Sequence, residues 1–256
     1  MTDAATASIV GMVTKVPARA AATGWLNAFL AASQDAERPL LYRTLSLEFF
    51  LHAGLHIVGC DGTALFRAWV PLLSDDEPPK WPADDAAPLL SVVVMDPDGF
   101  GVGFMRTLLR VTNEEAHAAE ELAVEIVEAD DEAAPSLGQE FQTKRVILRA
   151  CGQRLDLRCM DDQYPDWRRL NLGLQASERM DGMRLQPRLL GLIGKLKDVW
   201  GVTLDFHGDE KYVGFTAEGA PVRGVIMPMR RPEKEKPQPK PAPAPDPTVP
   251  EWEFPE

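Results

Sequence analysis

Read from its N-terminal end, the chain switches repeatedly between two hydrophobic periods. Over residues 19–33, Trp25, Leu26, Phe29 and Leu30 recur at helical spacing, which predicts an amphipathic helix. Residues 44–51, 55–60 and 65–73 are β-prone runs separated by Ala53-Gly54 and Asp61-Gly62, both suited to tight turns, and they read as three meandering strands. The pattern then returns: a strand over 89–95, a helix over 101–111, and strands over 122–127, 140–150 and 154–160. A third group follows, with an extended stretch at 183–185, a helix over 187–200 and strands at 202–207, 212–216 and 222–229. Pro187 suits the first turn of that helix and Gly201 suits the position just past its end.

This is an internal repeat of about 60 to 75 residues used three times, with two complete βαβββ units in residues 14–160. The expected class is α+β, with βαβββ repeats forming antiparallel sheets that carry their helices on one face. Three composition breaks bound these units. Residues 75–88 and 128–139 are acidic or proline-rich loops, and the last 26 residues hold nine of the 22 prolines. That last segment reads as an extended tail, with Trp252 and Phe254 as its only aromatics.

At 256 residues and 45% hydrophobic content the chain has ample material for a buried core. A formal net charge of -12 argues against indiscriminate coating of nucleic acid or anionic membranes, but leaves room for a local basic stripe. No apolar stretch of about 18 residues and no leader pattern occurs, so a cytoplasmic location is expected. Cys60, Cys151 and Cys159 lack metal or disulfide spacing and read as buried thiols.

Several segments invite chemical readings and return bland ones. The glycines at 99, 101 and 103 depart from dinucleotide-binding spacing. Asp96 and Asp98 miss the calcium-loop pattern and read as helix caps. His52 and His56 read as surface or edge histidines, because Gly54 interrupts any shared helical face. With no nucleophile elbow, phosphate loop or zinc helix in the sequence, no enzyme, cofactor or metal is expected.

Two further segments are more specific. Residues 164–170 read Tyr-Pro-Asp-Trp-Arg-Arg-Leu, and residues 225–230 read Val-Ile-Met-Pro-Met-Arg. Together they resemble the bacterial DNA polymerase III β sliding clamp, in which a linker of the form Phe-Pro-Asp-Tyr-Arg-Arg-Val joins the middle and last domains and the chain closes with Val-Met-Pro-Met-Arg. Residues 38–48 (RPLLYRTLSLE) and 57–65 (IVGCDGTAL) are similar to that family's Arg-Pro-Val-Leu strand entry and Asp-Gly turn. The turn departs from the family in having Thr63-Ala64 where histidine and arginine are common.

The resemblance implies residues 1–168 as a middle-domain-like pair of units, 169–230 as half of a last-domain-like unit, and 231–256 as a proline-rich tail, with the usual first domain absent. It implies a non-enzymatic processivity factor that tethers replication proteins to duplex DNA, with a replicative polymerase and other motif-bearing proteins as partners and a homo-oligomer as its form. A non-encircling docking module or replication regulator is the alternative. Carried over by position, the peptide-docking pocket would use Leu65, Pro165, Arg169, Leu170, Val225, Met227, Pro228 and Met229, with Thr63 and Arg230 at its rim. The DNA-facing residues would be Arg106 and Arg110 on one helix, four apart, and Arg188, Lys195 and Lys197 on the next.

Overall fold

The computed structural model describes residues 13–33, 35, 37–50, 54–72, 86–96, 98–128, 141–160, 164–165, 167–169, 185–206 and 212–227. The first unit runs β1 (Val13–Pro17), α1 (Ala18–Phe29), β2 (Thr44–Phe50), β3 (Gly54–Cys60) and β4 (Ala64–Pro71). The second repeats it as β5 (Leu90–Met95), α2 (Phe100–Thr112), β6 (Glu121–Glu128), β7 (Phe141–Ala150) and β8 (Gln153–Met160). The third group is α3 (Pro187–Ile193), β9 (Gly201–Phe206), β10 (Val213–Glu218) and β11 (Val222–Ile226).

The eleven strands found among the described residues join one antiparallel sheet in the order β1-β6-β7-β8-β5-β2-β3-β4-β11-β10-β9. The two complete units exchange their leading strands: β1 pairs with β6 of the second unit, and β5 pairs with β2 of the first. Neither unit can therefore close its sheet without the other. Alternation then sorts the side chains. Leu45, Leu47, Leu55, Ile57, Val92 and Val94 face the helices and pack with Trp25 and Met105 into the main core. Each such fully buried apolar side chain contributes about 1.5 to 3 kcal/mol. Gly59 lets α1 come close to β3, since a Cβ there would lie 2.0 Å from the Ala28 carbonyl oxygen.

The start of α2 follows from its sequence. Gly99 takes a left-handed φ of 72°, and Asp96 turns back so that Oδ1 and Oδ2 accept the Gly101 and Val102 amides at 2.9 and 3.0 Å. Asp96 is thus a cap, as its position predicts. Burial pushes its carboxyl pKa up, and those two amides only partly offset the shift.

Two expectations change in the third group. The helix ends at Ile193 rather than running to residue 200, and Gly201 begins β9 instead of capping the helix. Gly191 and Gly194 explain the early stop, because glycine is the poorest helix former after proline. Beyond it, Asp198 adopts a φ of 55° and is held against α1, accepting from Thr23 Oγ1 at 3.0 Å and Arg19 Nη2 at 3.3 Å. Asn27 grips the adjacent Lys197 backbone at both its amide and its carbonyl, at 2.6 and 3.2 Å.

The apolar side of α3 is accordingly buried on the first unit. Leu189 packs in a second core with Ala31, Ala68 and the edge-to-face pair Phe66 and Phe215, whose centroids are 4.8 Å apart. Residues 183–184, expected as an extended stretch, lie outside the described residues.

Candidate functional site

The β3–β4 turn is built around Asp61. Its Oδ1 accepts the Thr63 amide at 2.8 Å, the Thr63 hydroxyl at 2.7 Å and the Ala64 amide at 2.8 Å, while Gly62 supplies a φ of 83°. This is the self-bonded turn that Asp-Gly favours. Its second oxygen lies 3.3 Å from Arg188 of α3, which ties the third group to the turn. The Thr63 carbonyl then accepts the Met227 amide at 2.8 Å, so the turn is also bound to the chain leaving β11. In the adjoining ladder Leu65 stands opposite Val225.

Leu65 and Val225 face away from the helices and are covered. Only 2% and 1% of their surface is exposed, because Tyr164 and Trp167 of the segment after β8 pack over them together with Val58, Cys60 and Val93. Trp167 opens a short 3-10 turn, Trp167–Arg169, and its amide donates to the Pro165 carbonyl at 2.8 Å. Burial pushes the Tyr164 phenol pKa well up.

Beneath Trp167 lies a polar cluster that the pattern of the sequence did not single out. Glu48 of β2 is 3% exposed; its Oε1 accepts from the Trp167 indole and from Arg168 Nη1, each at 2.9 Å, and its Oε2 accepts from Arg168 Nη2 at 2.7 Å. His56 of β3 sits 3.6 Å from Glu48 Oε2 and edge-on to Phe50, Trp69 and Trp167. The guanidinium groups of Arg67 and Arg168 lie 4.9 and 4.3 Å from the Trp167 ring centre.

The electrostatics follow from this packing. Burial alone would raise the Glu48 pKa, but donors from His56, Arg168 and Trp167 outweigh it and hold the carboxyl below its usual range. Burial lowers the His56 pKa; Glu48 opposes this, and the charges of Arg67 and Arg168 reinforce it. A neutral imidazole beside an ionised carboxylate results. His56 is therefore 1% exposed and central to the cluster, not the surface or edge residue expected from its neighbours. His52 lies outside the described residues.

Of the residues carried over to a docking pocket, Thr63, Leu65, Pro165, Val225 and Met227 fall in this one region. Leu170, Pro228, Met229 and Arg230 lie outside the described residues, as does the side chain of Arg169. Among the residues carried over to a DNA-facing surface, Arg106 and Arg110 are exposed on α2 and Lys195 and Lys197 are exposed after α3, whereas Arg188 reaches Asp61. Cys60 and Cys159 are buried and Cys151 is half-buried. No group of histidines, cysteines and carboxylates suited to a metal ion occurs among the described residues, nor does a helix long and apolar enough to cross a membrane.

No family model matches the sequence, and no curated protein matches it either. The fold does match solved structures. A DNA polymerase III β-subunit sliding clamp from Pseudomonas aeruginosa, bound to griselimycin, superposes with a TM-score of 0.54 at 13% identity, over 90% of this chain and 68% of that one. A putative DNA polymerase III β subunit from Eubacterium rectale gives 0.54 at 10%, over 87% of this chain and 66% of that one. The β subunit from Thermotoga maritima gives 0.52 at 14%, over 90% and 70%. The chain spans about two thirds of the length of these structures.

Proposed function

Starting from a chain with the fold of the bacterial β sliding clamp, we propose that it acts as a non-enzymatic, cytoplasmic clamp-like factor that tethers DNA-processing proteins to duplex DNA. The observation that carries this reading is the fold itself: two βαβββ units with exchanged leading strands, extended by a third group, keep the three described α-helices on one face of a single sheet. In this reading residues 1–168 and 169–230 work as the two clamp-like parts, and the helix face, with Arg106, Arg110, Lys195 and Lys197, meets the phosphates. The partly exposed residues of this junction, Thr63, Pro165 and Met227, receive a short partner peptide over the buried Leu65 and Val225, and Met227 suits a surface that adapts to several sequences. In this reading the protein works as a homo-oligomer.

A protein that encircles DNA is lost from free ends and retained on closed circles. Retention on a nicked circular plasmid at least tenfold above retention on the same plasmid linearised, with the difference abolished by recutting, is the expected result. Equal retention on both forms would remove the encircling function and leave a docking module.

A further inference from the structure

Three of the four described tryptophans, Trp25, Trp69 and Trp167, expose 3% of their surface or less, whereas Trp200 exposes 80%. The register of the third group fixes the side on which it lies. Val202 and Leu204 of β9 pack against the helix-side core, opposite Ala217 and Phe215 of β10. Alternation carried back two places sets Trp200 on that same side, next to Gly219. The close approach there agrees, since a Cβ on Gly219 would lie 2.6 Å from Trp200 Cδ1. Gly219 takes a left-handed φ of 101° and leaves room for the ring against the β10–β11 turn. Because β9 is the last strand of the sheet, Trp200 sits at a free edge, on the helix side, with most of its ring in water.

The backbone that carries the ring is fixed. Asn27 of α1 holds the Lys197 backbone, Thr23 and Arg19 hold Asp198, and the Trp200 amide donates to the Glu218 carbonyl at 3.1 Å. Three anchors thus set the path from Lys197 to Trp200, while the side chains of Lys195, Lys197 and Trp200 remain exposed. The isolated fold gains none of the stabilisation that covering so large an apolar ring would give.

The charges around the ring favour an anion. Asp198 is matched by Arg19 at 3.3 Å, and Glu218, opposite Gly201, lies on the other side of the sheet. Lys195 and Lys197 enter no ion pair among the described residues. Lys197 and Trp200 are three residues apart, so their Cα atoms are at most about 11 Å apart and one short stretch of strand can meet both. An apolar protein partner would use the ring and leave the lysines idle. A fully paired duplex would use the lysines and offer the ring no base face, because its bases already stack on one another. A strand with unpaired bases uses both, with phosphates on the ammonium groups and a base on the indole.

We propose that Trp200, flanked by Lys195 and Lys197, is a stacking site for an unpaired nucleotide base, so that the helix side of the sheet prefers DNA carrying a single-stranded segment to DNA paired throughout. The inference rests on the reading that this side meets DNA phosphates, and it adds the kind of DNA that is met. The site reads no base sequence, since every base has a face to stack.

The test compares two fluorescein-labelled probes by fluorescence polarisation in 50 mM sodium chloride: a blunt 20-base-pair duplex, and the same duplex with a ten-thymidine overhang. The protein should bind the overhang probe about tenfold more tightly. Trp200→Ala should abolish that preference with the blunt-duplex affinity unchanged, and Trp200→Phe, which keeps an aromatic face, should retain most of it. Lys195→Gln with Lys197→Gln should weaken both probes several-fold and lower the salt dependence. Tryptophan emission supplies a second readout: a ten-residue oligothymidylate should quench the parent protein and leave Trp200→Phe unquenched. A urea midpoint of Trp200→Ala equal to that of the parent shows that the fold is intact. Equal affinity for the two probes, or a preference that survives Trp200→Ala, would overturn the proposal and leave the phosphate contacts standing. A lower light-scattering mass for Trp200→Ala with its DNA preference unaltered would overturn it too, assigning the ring to a second copy of this chain. Failure of both probes to bind would remove the phosphate reading along with it.

Discussion

The two complete units share one topology and differ in what lies on their outward faces. In the first, every residue of β2 and β3 is buried, and so is every residue of β4 before Pro71, on both sides of the sheet. In the second, β6 alternates between buried and partly exposed positions, and β8 between buried and exposed ones over its second half. The helix faces are alike, and part of the contrast comes from Tyr164 and Trp167 after β8, which pack against the outward face of the first unit. A repeat can thus be kept in its backbone and its core while one copy becomes an interior and the other remains a surface. The polar groups obey the same division. Glu48 is held by donors on three sides, whereas Asp156 meets its arginine in solvent.

The largest effect should come from removing the charge that holds the crossing segment. Glu48→Gln keeps the shape of the side chain but leaves Arg168 without its ionised partner, and breaking such a buried pair costs about 3 to 5 kcal/mol. Arg168 keeps a quarter of its side chain in solvent, so the lower end of that range is expected. The matching change in the second unit, Asp156→Asn, should leave the urea midpoint within error, because about half of the Arg154 side chain and a third of the Asp156 side chain stay in water. Equal midpoints for the two variants would mean that the faces differ in appearance only.

Acid should separate the faces next. Glu48 has a folded pKa below its ordinary value of 4.5, so the unfolded chain takes up its proton first and the stabilisation is lost as pH falls below about 4.5. His56 also has a folded pKa below its ordinary value, 6.5, since the buried ring resists protonation. The unfolded state therefore binds more protons below pH 6.5, and stability declines from that point downward. His56→Phe, which fits an aromatic surround of Phe50, Trp69 and Trp167, should flatten the decline between pH 6.5 and 5 while leaving the steeper loss below 4.5. Chemical denaturation at half-unit pH intervals gives the comparison, and an unaltered slope above pH 5 would acquit His56.

Much of this architecture was legible in the chain. The alternation of Leu45, Leu47 and Phe49 marks β2, and the start of α2 is written in Asp96 and Gly99. The burial of Glu48 was not legible, because the residues that bury it lie 119 and 120 positions away in a segment whose path no local pattern reveals. By its alternation alone Glu48 belongs to a solvent face. A hint existed in the paired arginines beside Trp167, which needed an acid if they were to be covered. Likewise Gly191 and Gly194 warned that the helix after Pro187 would be short, but the docking of Asp198 on α1 depends on Thr23 and Arg19, a contact of opposite ends of the chain. For the candidate site, the meeting of Thr63 and Leu65 with Val225 and Met227 came from family resemblance. Hydrophobic period predicts strands, and it does not say that β4 and β11 lie side by side.

The smallest effect concerns the thiols, and it reads the crossing segment directly. Cys60 lies on the outward face of the first unit beneath Tyr164, with Sγ accepting the Gly62 amide at 3.3 Å. Burial raises its pKa, the Gly62 amide offsets part of this, and the Asp61 charge adds to it. Cys159 faces the helices in the main core and burial pushes it up to about 12. Cys151, in the β7–β8 turn, is half-buried. Alkylation at pH 8 with peptide mapping should therefore modify Cys151 first and Cys159 only on unfolding. Cys60 should follow the segment that covers it, since its reaction requires a local opening in which Tyr164 lifts. Tyr164→Phe keeps the cover and should leave the Cys60 rate close to that of the parent. Tyr164→Ala opens the cover and should raise the Cys60 rate several-fold, with Cys159 still protected as evidence that the core remains closed. A Cys60 rate that is the same in all three proteins would show that the thiol is protected by the sheet alone, and the outward face of the first unit would then owe its burial to something other than this crossing segment.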